Sequence, residues 1–367
     1  MNLDKMIIFI KADETILKEK YSLYVLGGDI GGTNTNLVVA GVKNSKPNLL
    51  FSLNIKSNNL DSLIPAIEKI ITYARSNYGI ELNIACIGAA GVVSPSNDFA
   101  QLTNVSWNVS TKELIDNTSL ESVYVINDFQ TIGYGLNLLD HNNENDIFQV
   151  RAGNRNLEYL TFTKAIIGAG TGLGKSILTY DKQFKAYIPI PSEGGHGDFP
   201  AQNDFETQLV NFIKKLRGIS NPLNYEEVLS GRGLESIYLF IRNTQNLRDT
   251  QYTEEIDKSS DKAPLISKYK NIDESCKETL RLFTRFYARC AKNFALDTLA
   301  YGGMYIAGGI ASKNKEIFTT KEFTDEFENT YRRYDFLKNI PINIIVNYDV
   351  SLYGACYAAI YKSYSKI

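Results

Sequence analysis

Residues 27–36 read GGDIGGTNTN, and they join two runs of β-forming residues at 21–26 and 37–42. Glycine and asparagine at this density are typical of a turn, so the sequence predicts a β-hairpin. Adjacent glycines let successive backbone N–H groups point at one place, which makes a binding site for an anion, and the Thr33 hydroxyl adds a donor. Asp29, at the end of the first strand, supplies the carboxylate that a hydrated Mg²⁺ ion takes at such a site.

A second glycine-rich turn, GAGTGLG at residues 168–174, also separates two β-like runs, 160–167 and 176–180. Both turns contain a Gly-Thr step, about 140 residues apart, which is a weak internal repeat in architecture. Either turn alone is explained equally well as an ordinary hairpin. Two anion-binding turns could hold a polyphosphate from both sides, and the double glycine Gly308-Gly309 after a buried strand favours a nucleotide ligand.

Strands and helices alternate along the chain, which predicts an α/β fold. Apolar residues recur at helical spacing over 61–78, where Asp61 or Ser62 can cap the start and Gly79 can end the helix. Between residues 243 and 275 the chain turns polar and charged, and we expect a surface excursion there rather than a domain boundary. The other predicted elements are strands at 82–88, 123–126 and 305–310 and helices at 278–299 and 351–363.

Composition and charge exclude several classes of protein. The 367 residues suffice for about two domains, and 39 basic against 41 acidic side chains leave no basic excess for binding nucleic acid. No stretch approaches the roughly 20 apolar residues that cross a bilayer, so we expect a soluble protein with no membrane partner. Two histidines are too few for a cluster of imidazole ligands, and neither forms an HExxH motif. The four cysteines lie far apart, which predicts buried thiols in a reducing cytoplasm.

The sequence AGTGLGKS at residues 169–176 satisfies a relaxed Walker A pattern. A P-loop must open a helix, so that the helix N-terminus faces the phosphates. The residues after Lys175 are Ser-Ile-Leu-Thr-Tyr, and these favour a strand. We therefore expect Lys175 to be a solvent-exposed strand residue, and a P-loop ATPase that works through Lys175 stays as an alternative.

Asn127 and Asp128 directly follow the predicted strand 123–126. Strand ends in α/β folds commonly carry functional side chains, so Asp128 is a candidate general base. From these residues alone, the better explanation is that they cap a helix beginning near Phe129, since Asn and Asp are good helix caps.

The segment Glu193-Gly-Gly-His196 has the Glu-x-x-His spacing of carboxylate metal sites. Two central glycines disfavour the helix that such a site needs, and the sequence holds no second copy. A glycine-shaped loop with a carboxylate and an imidazole instead suits a polyhydroxylated sugar. His196 is also explained as a hydrogen-bonded structural residue.

Taken together, these motifs resemble the bacterial-type glucokinase family of the actin/hexokinase/Hsp70 superfamily, and the resemblance extends from about residue 24 to residue 358. It implies an ATP-dependent hexose kinase with a two-lobed actin/hexokinase-like (ribonuclease H-like) α/β fold and a cleft between a small and a large domain. The motifs that carry the resemblance, in their order along the chain, lie at 28–34, 103–107, 126–129, 168–174, 192–196, 228–231 and 306–310.

The resemblance implies a role for each matching residue. Asp128 would be the general base, and Asn127 would bind sugar hydroxyls. The other implied sugar-side residues are Asn104, Glu193, His196 and Glu226, with Glu227 as the alternative to Glu226. The implied ATP-binding residues are Asp29, Gly31, Gly32, Thr33, Asn34, Gly170, Thr171, Gly172, Gly308 and Gly309, with Asp29 also holding Mg²⁺ through water.

The resemblance also predicts the domain organisation: an N-terminal extension at 1–20, a small α/β domain at 21–129 completed by a helix at 350–367, and a large α/β domain at 130–349. Glucose is the expected substrate, with mannose or an amino sugar as alternatives, and the family's habits allow a homodimer. A non-catalytic sugar or nucleotide sensor on the same scaffold is the competing hypothesis. The presence of Asp128 and of both glycine turns argues against it.

Overall fold

The computed structural model describes residues 7–103, 105–153 and 161–364, and the chain divides into two compact units. The first unit comprises Met1–Asp140, Asp181–Pro191 and Asn347–Ile367, and the second comprises His141–Tyr180 and Ser192–Val346. The chain thus leaves the first unit, returns to it twice and ends in it. The domain boundaries predicted at residues 129 and 349 stay a prediction beside these ranges.

A six-stranded mixed sheet forms the centre of the first unit. The strands of the unit are β1 (Ile7–Ile10), β2 (Tyr24–Ile30), β3 (Asn34–Lys43), β4 (Lys46–Lys56), β5 (Ile84–Ala89), β6 (Gly91–Val93), β7 (Phe99–Leu102), β8 (Val109–Ser110) and β9 (Ser122–Asn127). The sheet order is β1-β4-β3-β2-β5-β9, and β6, β7 and β8 form a separate small sheet. Strands β2, β5 and β9 run parallel, whereas β1, β4, β3 and β2 pair antiparallel.

The predicted hairpin at residues 27–36 is confirmed. Strands β2 and β3 pair antiparallel, with Asp29 opposite Asn36, and the Gly31 N–H donates to the Asn34 carbonyl at 2.9 Å across the turn. Most residues of β3 are buried. This burial agrees with the near-continuous apolar run from Leu37 to Val42 that predicted the strand.

Helices cover both faces of this sheet. The helices of the unit are α1 (Glu14–Lys18), α2 (Ile64–Tyr78), α3 (Thr111–Asn117), α4 (Asp128–Gly135) and α14 (Val350–Tyr364). Because side chains alternate along a strand, Leu26 enters the same core cluster as the buried residues of α2, whereas Val25 enters the cluster that contains α14. Gly354 of α14 meets α4 closely, since a Cβ there would lie 1.7 Å from the Thr131 carbonyl oxygen.

Helix α2 confirms the predicted helix but not its predicted cap. The helix ends where expected, at Gly79, whose φ of 62° is a left-handed conformation that glycine adopts without strain. At the other end, Leu63 is the N-cap residue and no side chain caps the helix, so the prediction of a cap from Asp61 or Ser62 is wrong. Pro65 in the first turn instead favours the helical start.

The second unit has a sheet with a parallel centre. Its strands are β10 (Ile147–Arg151), β11 (Lys164–Ala169), β12 (Leu173–Asp181), β14 (Met304–Ala307) and β15 (Ile342–Ile345), and they lie in the order β10-β15-β14-β11-β12. Strands β11, β14 and β15 are parallel, and β12 returns antiparallel to β11. Strand β13 (Ala186–Ser192) falls mostly within the residues of the first unit.

Helices dominate the rest of the second unit. They are α5 (Asp204–Arg217), α6 (Gly231–Thr244), α7 (Gln251–Lys258), α8 (Ala263–Tyr269), α9 (Glu274–Thr298), α10 (Gly309–Lys313), α11 (Lys315–Phe318), α12 (Lys321–Glu328) and α13 (Tyr334–Asn339). Helix α9 confirms the helix predicted at 278–299, and it starts earlier because the Asp273 side chain accepts a hydrogen bond from the Cys276 N–H. Within the residues that the structure describes, no helix combines the length and apolarity of a membrane span.

A buried ion network ties three helices of the second unit together. Arg289 of α9 and Glu206 of α5 are both 1% exposed, and they form two hydrogen bonds of 2.7 and 3.0 Å. The Arg289 Nε also donates to Glu326 of α12 at 2.9 Å. Burial alone would raise the pKa of Glu206, but hydrogen bonds from Arg289 and from the Gln202 N–H outweigh burial, so the pKa lies below its usual value of 4.5.

This network predicts how the second unit responds to acid. A carboxyl whose pKa is lowered by folding stabilises the folded state above its unfolded pKa, and that stabilisation is lost as the pH falls through the folded pKa. We expect the urea midpoint to fall as the pH drops below the usual Glu pKa of 4.5, and Glu206→Gln, which cannot titrate, to flatten that dependence. If the urea midpoint fell equally steeply with pH in the wild type and in Glu206→Gln, Glu206 would not contribute to the pH dependence of stability.

Candidate active site

The structure places two predicted site residues of the first unit, Asp29 and Asp128, at one edge of its sheet. Strands β2, β5 and β9 are parallel, with Asp29 beside Gly88 and Ala89 beside Asn127. Asp29, near the end of β2, and Asp128, directly after β9, therefore lie at the same edge of the sheet, on the two strands that flank β5. The carboxyl edge of a parallel sheet is where α/β proteins place their ligands, so this edge is the candidate site of the first unit.

Asp29 is held by a residue from the far end of the sequence. Its Oδ2 accepts a hydrogen bond of 2.7 Å from the Ser351 hydroxyl, in the first turn of α14. Burial raises the pKa of Asp29, and the Ser351 hydrogen bond opposes that rise in part. Sequence reasoning missed Ser351, since nothing in the predicted helix at 351–363 links it to the glycine turn.

The turn after Asp29 is braced by the end of β4. The Ser57 hydroxyl donates to the Gly31 carbonyl at 2.7 Å, and the Ser57 N–H donates to the Thr33 carbonyl at 3.0 Å. Thr33 is exposed and Gly32 is partly exposed. Lys56 reaches Asn34 Oδ1 at 2.8 Å, which places a positive charge at the turn that sequence analysis did not identify.

The structure shows which of Asn127 and Asp128 caps the helix that follows β9. Asn127 is the N-cap of α4: its Oδ1 accepts from the Phe129 N–H at 2.8 Å, and its own N–H donates to Gln130 Oε1 at 3.2 Å. Asp128 is the first helical residue and is partly exposed, with its Oδ1 3.0 Å from the Phe129 N–H. The cap therefore exists, and Asn127 supplies it. Asn104, the other sugar-side residue predicted in this unit, lies outside the described residues.

The second unit brings its predicted nucleotide turns together. Residues 170–172 join β11 to β12, and the Gly170 N–H donates to the Gly172 carbonyl at 2.8 Å. Gly168 of β11 pairs in register with Ala307 of β14, so the turn lies beside Gly308-Gly309. The Gly231 N–H donates to the Gly170 carbonyl at 2.9 Å, which sets the first residue of α6 against the same turn.

The surroundings of Lys175 correct one expectation and exclude one alternative. Lys175 is 6% exposed, and its Nζ lies over the rings of Tyr225 and Phe294 at 5.2 and 5.0 Å. The expectation of a solvent-exposed side chain is therefore wrong. The prediction of a strand is confirmed, because β12 follows the turn, and without a helix at this point the turn is not a P-loop.

The segment 193–196 forms a short exposed turn. Gly194–His196 is one turn of 3₁₀ helix, and both Glu193 and His196 are exposed, with His196 Nε2 3.7 Å from Glu193 Oε2. The Gly195 carbonyl accepts from the Glu226 N–H at 3.0 Å, which fixes the turn to the segment before α6. Across the described part of the chain, no group of three or more His, Cys, Asp or Glu side chains could hold a metal ion by itself.

Glu226 contacts the 170–172 turn as well as the 193–196 turn. Its carboxylate is 18% exposed, and its Oε2 accepts from the Leu173 N–H at 3.0 Å. The Arg232 guanidinium lies 3.3 Å from Glu226 Oε1 and 3.5 Å from Glu227 Oε1. Arg232 is a second positive residue of the site region that sequence analysis did not identify.

The paired glycines at 308 and 309 give a prediction about stability. Gly308 has φ 91°, and a Cβ there would lie 2.5 Å from the Ala169 carbonyl oxygen, whereas a Cβ at Gly309 would meet no atom within 4 Å. We expect Gly308→Ala to lower the free energy of unfolding by about 2 kcal/mol or more, through backbone strain and collision. Gly309→Ala is the matched control and should change it by less than about 0.5 kcal/mol. Similar urea midpoints for both variants would contradict this.

The fold defines the class of the protein: the likeness to solved structures confirms the two-lobed actin/hexokinase-like α/β fold predicted from the sequence. The family model named Glucokinase matches residues 26–361, and the chain belongs to the glucokinase family. The glucokinase of Trichormus variabilis is 34% identical over 91% of this chain and 98% of its own length.

Solved structures agree with the fold. The glucokinase of Balamuthia mandrillaris in complex with glucose has a TM-score of 0.77 and 24% identity, over 92% of this chain and 93% of that one. A ROK-family glucokinase from Streptomyces griseus in complex with glucose and AMPPNP has a TM-score of 0.59 and 17% identity, over 92% of this chain and 99% of that one. These likenesses support the fold, and the family rests on the sequence matches.

Proposed function

We propose that the chain transfers the terminal phosphoryl group of ATP to the 6-hydroxyl of glucose, with Asp128 as the general base. Membership of the glucokinase family supports ATP-dependent hexose 6-phosphotransferase activity. The observation that carries the role of Asp128 is its place in α4: Asn127 supplies the helix cap, and the partly exposed carboxylate of Asp128 follows at the carboxyl edge of the sheet.

The reaction needs a base because the attacking hydroxyl must lose its proton as the new bond forms. In the proposed step, the sugar 6-oxygen forms a bond to the terminal phosphorus, and its proton passes to the Asp128 carboxylate. The bond between that phosphorus and the bridging oxygen breaks, and ADP leaves. Glu193, His196 and Asn127 would orient the sugar through hydrogen bonds to its other hydroxyls, and orientation of this kind lowers the entropic part of the barrier.

The glycine turns are the proposed phosphate-binding elements. The partly exposed backbone at Gly32 and at residues 170–172 suits the oxygens of a phosphate, and Lys56 adds positive charge beside Asn34. Asp29 suits a Mg²⁺ ion, because such an ion takes one or two carboxylates and completes its shell with phosphate oxygens and water. When bound, the ion would neutralise charge that develops on the phosphate oxygens.

Two further parts of the proposal concern the setting of the enzyme. We place it in the cytoplasm, in keeping with its four cysteines, which are buried and form no disulfides. A homodimer stays a prediction that sedimentation of the purified protein would test.

A coupled assay for ADP release tests the proposed activity. We expect ADP production that depends on both ATP and glucose, with kcat/KM for glucose above that for mannose and glucosamine. A higher kcat/KM for another hexose would leave the proposed kinase activity in place but change the preferred substrate. ADP release that no sugar increases would overturn the proposed function.

A further inference from the structure

Three segments of the second unit meet at Glu226. Its backbone N–H donates to the Gly195 carbonyl of the exposed 193–196 turn at 3.0 Å. Its Oε2 accepts from the Leu173 N–H, at the end of the 170–172 turn, at 3.0 Å. Its Oε1 lies 3.3 Å from the Arg232 guanidinium in the first turn of α6. One residue therefore connects the turn assigned to the sugar with the turn assigned to the phosphates.

The carboxylate of Glu226 also packs directly against the phosphate turn. A Cβ at Gly172 would lie 2.5 Å from Glu226 Oε2, so the absence of a side chain at Gly172 makes room for the carboxylate. A hydrogen bond from a backbone N–H to an ionised carboxylate is shorter and stronger than one between neutral groups. This contact therefore restrains the backbone that follows Gly172.

Arg232 and α6 complete the restraint from the other side. The Gly231 N–H donates to the Gly170 carbonyl at 2.9 Å, so α6 binds the first residue of the turn. Glu226 binds Leu173, the residue that follows the turn. Arg232 pairs with Glu226 and keeps its carboxylate compensated in a setting where it is only 18% exposed. Both ends of the turn are thereby fixed to one short segment of chain.

We propose that Glu226 is a positioning residue for the donor nucleotide, which holds the 170–172 turn ready to receive phosphates. This inference rests on the proposed function, because it takes the turn as a phosphate-binding element. Its consequence differs from that of a sugar contact. A restraint on the turn acts on nucleotide affinity when no sugar is present, since a preorganised site loses less conformational freedom on binding.

The experiment compares three variants without sugar, using isothermal titration with the magnesium complex of AMPPNP and hydrogen exchange of peptides covering residues 169–175. Glu226→Ala removes the acceptor for the Leu173 N–H, and we expect about tenfold weaker AMPPNP binding and faster exchange in that segment. Glu226→Gln keeps an acceptor oxygen, so it should restore most of the affinity. Glu227→Gln is the matched control: Glu227 also lies 3.5 Å from Arg232, but the Leu173 N–H is bound by Glu226, so this variant should keep wild-type AMPPNP affinity and exchange.

The outcomes separate the possible roles of Glu226. Wild-type AMPPNP affinity and exchange in Glu226→Ala, with a raised KM for glucose, would make Glu226 a sugar contact and overturn the inference. Equal losses in the alanine and glutamine variants would overturn it as well, because the acceptor oxygen would not matter. If wild-type protein binds AMPPNP but phosphorylates no sugar, the proposed function fails while the exchange result at 169–175 still decides the inference.

Discussion

Asp128→Asn is expected to lower kcat by 10²-fold or more while glucose binding stays within a few-fold of wild type. An amide cannot take the proton of the 6-hydroxyl, and general base catalysis contributes about 10²- to 10⁴-fold. The local fold should survive, because Asn127 and Gln130 form the capping box of α4 and Asp128 is the residue after the cap. Steady-state kinetics with the ADP assay, together with glucose titration of the inactive variant, measure both parts.

The chain offers a matched control for this change. Asn203 and Asp204 repeat the same arrangement at α5, with Asn203 as the N-cap and an exposed Asp204 as the first helical residue. Asp204→Asn removes the same charge from the same kind of helix start, so it should leave kcat unchanged. Near-normal turnover in Asp128→Asn would remove Asp128 from the mechanism. A loss of turnover in both variants would point to stability as the cause.

Arg289→Met is expected to destabilise the second unit by about 3–5 kcal/mol, because it removes the guanidinium that hydrogen-bonds two buried carboxylates, Glu206 and Glu326. Arg285 lies 3.9 and 3.8 Å from these carboxylates, too far to replace the hydrogen bonds. Methionine is similar in length and apolar, so the change removes charge and hydrogen bonds while filling much of the space. The urea midpoint of the transition that reports on the second unit measures the loss. The same variant should gain stability as the pH is lowered, because protonation of Glu206 then removes a buried charge that has lost its main partner.

Arg281 on the same helix is the control. It is 40% exposed and pairs with Glu278 and Glu322, so it differs from Arg289 chiefly in its access to water. Water and salt screen exposed ion pairs, and Arg281→Met should cost less than about 1 kcal/mol. If both variants lost the same stability, burial would not be what makes the Arg289 network important.

Local patterns predicted the elements well where turn chemistry and periodicity agreed. The β2–β3 hairpin, α2 with its glycine end and the strands β5 and β9 all follow from residues close together in the chain. The parallel pairing of β2, β5 and β9 joins distant segments and was not predicted. The polar segment 243–275 was harder. Its composition predicted a surface excursion, but it forms α7 and α8, which bury Ile256 and Ile266. One or two buried apolar side chains are enough to anchor a short helix against a core, and the average composition of a segment does not reveal them.

The contacts that organise the fold and the candidate sites join residues far apart in sequence. Ser351 reaches Asp29 across 322 positions, and Arg289 reaches Glu206 across 83. No spacing rule links such residues, because the sheet and the helix packing bring them together. The prediction of an exposed Lys175 was wrong for a related reason. The pattern of its own strand predicted exposure, but the rings of Tyr225 and Phe294 that cover Lys175 come from other segments of the chain.

The return of the chain to the first unit has a consequence for synthesis. Val25 and Val38 of the N-terminal sheet share a core with Cys356 and Ala359 of α14. The ribosome synthesises the N-terminal strands hundreds of residues before α14, which covers them. Synthesis proceeds at about 5–20 residues per second. One apolar face of the nascent sheet therefore lacks α14 for tens of seconds. The second unit can already form during this time. A premature stop before residue 350 would leave that face covered only by α4, whose Tyr134 belongs to the same core, so truncated products of this chain should be targets for chaperones and proteases.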